Sequence, residues 1–273
     1  MSTRRSRKQI FTLLVFALTL GVSTPMHAQS ASDMARELAP TGKLRVGLLM
    51  LSYFAVEDAA AGEPKGVMPD LGKELARRIG VPYEPVRIRN PVEMIEGFRS
   101  GKLDATFIGI TADRAAVFDF GPVIIGIRTT FLVPASSPIR TIEEIDHAGV
   151  RVVVPQRSAQ EAHLKKIISK ASMIPVAVET PKPAIELLAA GQAEAFSHVM
   201  PMLKSARPSL PGSRILPGSY YDVPVAIGYA KGRSAASVAF YKTFVEDMKA
   251  SGFAQKAIDR MGAAANGLVV LTQ

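Results

Sequence analysis

GKLDATFIGITADRAAVFDF, residues 101–120, is the stretch on which the fold turns. Its apolar run Ala105–Ile110 is short, bounded by Gly101-Lys102 before and a polar turn after, and so suits a buried strand of a parallel sheet. The turn Thr111-Ala112-Asp113 leads into Arg114, which puts a hydroxyl and a guanidinium three residues apart just past the carboxyl end of that strand. Open α/β sheets bind ligands there. A guanidinium suits a carboxylate because its planar fork donates two parallel, charge-assisted hydrogen bonds. Taken alone, an arginine beside Asp113 in a loop reads more readily as a solvated surface charge.

Outward from this stretch, strands and helices alternate. On the N-terminal side, Lys43–Met50 reads as a strand, Leu51–Gly66 as a loop or hairpin, and Pro69–Ile79 as a helix with Leu71, Leu75 and Ile79 on one face and Gly80 at its end. Tyr83–Ile88 is a second strand and Pro91–Ser100 a second helix. On the C-terminal side Thr129–Pro134 is a strand, after which the pattern restarts with strands at 151–154, 174–178 and 193–197 and helices at 159–169 and 181–190. A strand at 223–230 and helices at 235–251 and 253–261 follow. The expectation is two doubly wound α/β units that share a rhythm without a sequence repeat.

Arg4, Arg5, Arg7 and Lys8 precede an apolar run from Ile10 to about Val22 and a small-residue exit near Ala28. That is the layout of a cleaved secretory signal peptide, residues 1–28, and the run is too short to favour a membrane anchor. Export is expected. The chain has no cysteine, hence neither a disulfide framework nor a lipid-bearing cysteine, which favours a diffusible periplasmic protein. Loss of the leader removes four basic residues and no acid, taking the net charge from +9 to +5. Basic residues are spread without aromatic interleaving, so nucleic acid is not an expected partner. His147, His163 and His198 are scattered and no H-x-x-x-H or cysteine pair exists, so neither a metal nor a cofactor is expected.

The segments G-K-L-D-A, I-T-A-D-R and F-D-F-G-P resemble the type 3 extracellular solute-binding proteins, the amino-acid-binding components of ABC importers. The resemblance spans about residues 41–262 and leaves the tail from Gly262 to Gln273 unexplained. It implies an α/β, two-lobed periplasmic-binding-protein fold, each lobe a mostly parallel sheet flanked by helices, with two hinge crossings near 131–136 and 220–225. Residues 41–133 and 224–273 would form lobe 1, and 134–223 lobe 2. It also implies a monomer that closes on a small solute and docks on an ABC permease.

The same resemblance carries over site residues one by one. Thr111 and Arg114 match the pair that grips the solute's carboxylate, and Gly109 the position whose carbonyl helps bind its amine. Gln156-Arg157-Ser158-Ala159-Gln160-Glu161 is similar to the family's Q-G-T-T-x-E run, which puts Ser158 at a helix start, where its N–H and hydroxyl would meet that carboxylate. A plain N-cap is the structural alternative. Tyr53 and Phe54 stand where the family places an aromatic pocket wall, with ordinary packing at even odds.

Two departures matter. Val199 occupies the position of the carboxylate that would pair with an α-ammonium, and Arg157 replaces a glycine. One removes an anion and the other adds a cation, so both move the expected ligand from an amino acid toward a deaminated organic acid. A rival reading is a periplasmic dehydratase of the cyclohexadienyl dehydratase type with Glu161 as general acid, although a Glu in the first turn of a helix already has a structural role.

Overall fold

The computed structural model describes residues 26–177, 180–262 and 267–271. The expected leader lies outside the described residues except for Met26, His27 and Ala28, and Val178 of one expected strand also falls outside them. In chain order the first unit contains α1 (Met26–Leu38), β1 (Leu44–Leu49), the hairpin β2 (Val56–Asp58) and β3 (Glu63–Lys65), α2 (Val67–Ile79), β4 (Tyr83–Ile88), α3 (Pro91–Arg99), β5 (Ala105–Gly109) and the single turn α4 (Ala112–Ala115). The long strand β6 (Phe118–Val133) leads into β7 (Arg151–Pro155), α5 (Ala159–Ile167), β8 (Ser172–Val176), α6 (Lys182–Ala189), β9 (Ala195–Val199), α7 (Met200–Ala206) and β10 (Arg214–Ile215). The chain returns through β11 (Tyr221–Ala230) to α8 (Ala235–Ala250), α9 (Phe253–Arg260) and β12 (Leu268–Val270).

Strands β4, β1 and β5 are parallel, as are β8, β7 and β9. Between these groups β6 and β11 run antiparallel to each other and form the two crossings. β6 trades partners at Thr129, which faces Tyr221 of β11 on one edge and Val199 of β9 on the other. The strand begins earlier than Thr129 because Gly121, Pro122 and Gly126 lie within it rather than ending it. Its register against β11 shifts between Val225 and Ala226 and again between Ala226 and Gly228, and such irregularities bend a strand pair without breaking it.

Two separate cores accompany the two strand groups. The first gathers Leu44, Val46, Leu48, Leu71, Phe107, Phe118, Tyr241 and Phe244, all fully or almost fully buried. In the second unit, alternate residues go to opposite faces: Phe131, Val152, Val154 and Ala195 to one, Leu132, Val153 and Phe196 to the other. That is the period-two signature of a sheet covered on both sides. Helix ends obey local rules. Gly80 ends α2 in the left-handed region with its N–H on the carbonyls of Ala76 and Arg77, and Asn90 caps α3 by accepting from Glu93 N at 3.0 Å.

The two units share a clamp that connects the start of one strand to its neighbour. Arg45 of β1 donates from Nε and Nη2 to Asp104 at 2.9 and 2.7 Å and from Nη1 to the Gly101 carbonyl at 2.6 Å. Arg151 of β7 repeats this, with Nε and Nη2 on Glu194 at 3.1 and 2.7 Å and Nη2 on the Gly191 carbonyl at 2.6 Å. Gly101-x-x-Asp104 and Gly191-x-x-Glu194 are thus equivalent, a correspondence invisible while the units are compared by rhythm alone.

Two elements at the chain's ends were not expected. Helix α1 docks by Leu38, fully buried, and by Glu37, whose carboxylate accepts from Ser234 N and Oγ at 2.6 and 2.8 Å and so sits on the N-terminus of α8. The tail adds β12 to β6 antiparallel, opposite Ile125, Gly126 and Ile127.

Candidate functional site

Strand β5 ends at Gly109, and within three residues the chain turns into α4. Thr111 is the N-cap of that turn, with extended backbone (φ −139°, ψ 158°), yet its side chain makes no capping hydrogen bond. Its hydroxyl therefore remains available. Arg114 is half-buried and donates from Nη1 to the Gly109 carbonyl at 2.6 Å. Burial pulls its pKa below the usual value, against the pull of neighbouring Asp113, and a guanidinium with this reserve stays charged. Among the described residues no carboxylate forms an ion pair with it, so four of its five N–H donors are uncommitted to protein partners.

Across from this turn stands the start of α5. Ser158 caps it, accepting from Glu161 N at 3.0 Å while its own hydroxyl donates to the Pro155 carbonyl at 2.6 Å. The hydroxyl is thereby occupied, and what Ser158 offers a solute is backbone N–H at a helix start. Glu161 reaches back past the cap to accept from Arg157 N, and its other oxygen pairs with Lys165 Nζ at 2.6 Å. Lys165 and the Arg157 N–H hold the Glu161 carboxyl below the usual carboxylate range. Arg157 has φ +56° and is the single non-glycine residue at positive φ among the described residues.

Between these walls lies a cleft of about 640 Å³. Ile110, Thr111 and Ala112 form one side, the α5 face from Arg157 to Lys166 the other, and Tyr221 of the crossing strand completes it. The imidazole of His163 stacks on Tyr221 with centroids 4.3 Å apart. Tyr220 in turn stacks on Phe131 and shares a 2.5 Å hydrogen bond with Ser197 Oγ, which stiffens the crossing beside the cleft.

Of the residues singled out from sequence, Thr111, Arg157 and Ser158 meet in this cleft. Gly109 and Arg114 stand one step back from its wall, tied to each other. Tyr53 and Phe54 do not form a wall here. They are 8% and 3% exposed, pack edge to face at 4.6 Å in the first core, and burial pushes the Tyr53 phenol up to about 12. Val199 is 4% exposed and belongs to the same core, facing Thr129 across the sheet rather than lining the cleft. Next to it, burial lowers the pKa of His198 to about 4, and Nδ1 accepts from Val199 N at 2.8 Å. Sequence reasoning missed the aromatic pair Tyr221 and His163. For His163 the available signal was spacing, since Ala159, His163 and Lys166 recur at helical intervals on one face.

Comparison with known proteins agrees with this architecture. The chain is 23% identical over 210 residues to the glutamine-binding protein of Geobacillus stearothermophilus, covering 75% of this chain and 79% of the relative. Among solved structures it is similar to an ancestral amino-acid-binding protein described as a precursor of cyclohexadienyl dehydratase, with TM-score 0.59, 22% identity and coverage of 83% of this chain and 98% of the other. A Streptococcus pneumoniae amino acid ABC transporter substrate-binding protein bound to L-arginine gives TM-score 0.59 at 21% identity, over 84% and 98% of the two chains. Since residues 49–263, nearly all of both units, match the family's sequence model, the chain belongs to the bacterial extracellular solute-binding proteins, family 3.

Proposed function

We propose that this protein is the periplasmic binding component of an ABC importer and that it delivers a small carboxylate lacking an α-amine. Residues 41–133 with 224–273 act as one lobe and 134–223 as the other. The strands β6 and β11 supply the hinge that closes both on the solute. Once the leader is removed the chain works as a monomer in the periplasm.

The observation that carries this reading is Arg114: a half-buried guanidinium beside a cleft, held by a carbonyl and by no carboxylate. A charge in that setting is stabilised by an incoming anion, and Thr111 and the first N–H groups of α5 are placed to share it. An ammonium has poorer prospects. Among the residues lining the cleft the one carboxylate, Glu161, is already paired with Lys165, and one lone pair of the Gly109 carbonyl is taken by Arg114. A buried ammonium without a partner costs several kcal/mol. The dehydratase reading loses its proposed general acid, because Glu161 is held in its ionised form by Lys165 and the Arg157 N–H.

The test is mass spectrometry of the solute that co-purifies with the periplasmic protein and is released on denaturation. A small organic acid without an amine is expected, and an amino acid as the sole solute would overturn the proposal.

A further inference from the structure

Resting on the carboxylate reading just given, we infer that the solute is a dicarboxylate, one acidic group held by Arg114 and Thr111 and the second by Arg157 and Lys166 across the cleft. The argument is one of charge balance. In the cleft wall contributed by α5, Lys165 is neutralised by Glu161 at 2.6 Å, whereas Arg157 and Lys166 have no ion pair among the described residues. Arg114, one step behind the opposite wall, has none either. A monocarboxylate on Arg114 leaves Arg157 and Lys166 on the α5 wall without a counter-charge as the lobes close. The cost of leaving them so grows as water leaves the site. A second acidic group removes it and turns closure into the formation of a charge-to-charge bridge between lobes.

Arg157 provides an independent argument. It holds φ +56°, a conformation that glycine adopts freely and a side-chain-bearing residue adopts at a cost of about 1 kcal/mol or more. Nothing in the fold requires a side chain there, since the position's contribution to local structure is the backbone N–H that Glu161 accepts. Arg157 lines the cleft instead. Between the cationic ends, Tyr221 and stacked His163 give a flat wall suited to the carbon skeleton joining two carboxylates.

Calorimetric titration of the purified chain, freed of co-purified solute by unfolding and refolding, tests this with paired probes. These are succinate, glutarate, adipate and phthalate, each beside its monocarboxylate counterpart butyrate, pentanoate, hexanoate or benzoate, plus glutamate and glutamine. At least one dicarboxylate should bind tenfold or more tighter than its partner. Arg157→Gly, which relaxes the backbone and therefore folds, and Lys166→Gln should each cut that affinity at least fivefold and narrow its ratio over the paired monocarboxylate. Equal binding of mono- and dicarboxylates, undiminished dicarboxylate affinity in both variants, or binding of monocarboxylates only would overturn the inference while leaving the carboxylate reading intact. Binding of the amino acids alone, or of nothing in the panel, would overturn it as well, and the first of these would also remove the reading beneath it.

Discussion

His163 of α5 lies flat on Tyr221 of β11, the rings 4.3 Å apart and 15° from parallel, so an aromatic contact joins a helix of the second lobe to a strand that crosses between lobes. The pair forms part of the cleft wall. Such stacking adds about 0.5–1.5 kcal/mol beyond the area it buries. Tyr221→Ala is expected to weaken solute binding roughly fivefold, about 1 kcal/mol, as read by calorimetry. Tyr221→Phe, which keeps the ring, should stay within twofold of the parent.

The twin arginine clamps differ in exposure, and their removal should differ accordingly. Arg45 and Asp104 have side chains 16% and 2% exposed, Arg151 and Glu194 40% and 32%. Asp104→Asn leaves a guanidinium short of a buried partner and is expected to cost about 3–5 kcal/mol. Glu194→Gln acts on a partly solvated pair and should cost about 1 kcal/mol or less. Urea unfolding followed by far-UV circular dichroism measures both, and equal losses would show that burial does not set the difference.

His198 makes stability depend on pH in the mildly acid range. Its folded pKa is lowered by burial to about 4 from an ordinary 6.5. Above the ordinary value the imidazole is neutral in folded and unfolded chains alike. As the pH falls from there toward the folded value, the unfolded chain takes up a proton that the folded chain refuses, so stability declines across that window, by on the order of 2–3 kcal/mol. His198→Asn, which keeps an acceptor for Val199 N, should flatten the stability profile between pH 6.5 and 4.

Glu161 tests the choice between binder and enzyme. Its carboxylate accepts from Arg157 N and pairs with Lys165, so Glu161→Gln, which keeps an acceptor and loses the charge, is expected to lower stability by about 0.5 kcal/mol. Neither parent nor variant should turn over prephenate or arogenate in a spectrophotometric assay, and turnover by the parent that Glu161→Gln abolishes would establish the dehydratase reading.

Much of this architecture was legible because buried parallel strands are continuous apolar runs: β1, β5 and β7 end within a residue or two of where the pattern stops, and the edge strand β4, which is not such a run, still spans the residues expected. Local chemistry was equally plain at Gly80 and Ser158, where cap residues mark helix ends. What stayed hidden depends on tertiary partners. The first half of β6 contains Gly121, Pro122 and Gly126 and reads as a turn until β11 is beside it. Helix α1 is mostly polar and is fixed by Glu37 on α8, while β12 is a strand only because β6 has a free edge. The site divided the same way. Thr111 follows from the strand end and Arg157 and Ser158 from the resemblance to the family's run, whereas choosing Tyr221 over Tyr53 as the aromatic wall requires knowing which loop folds inward.

The central claim, that Arg114 captures the acidic end of a solute between two hinged lobes, is met most directly by a crystal structure of the protein with its co-purified solute. A carboxylate within about 3 Å of the Arg114 guanidinium, with Thr111 on the same group and the α5 N-terminus closed over it, is the predicted result. A solute seated elsewhere, with Arg114 still bonded only to the Gly109 carbonyl, would contradict it.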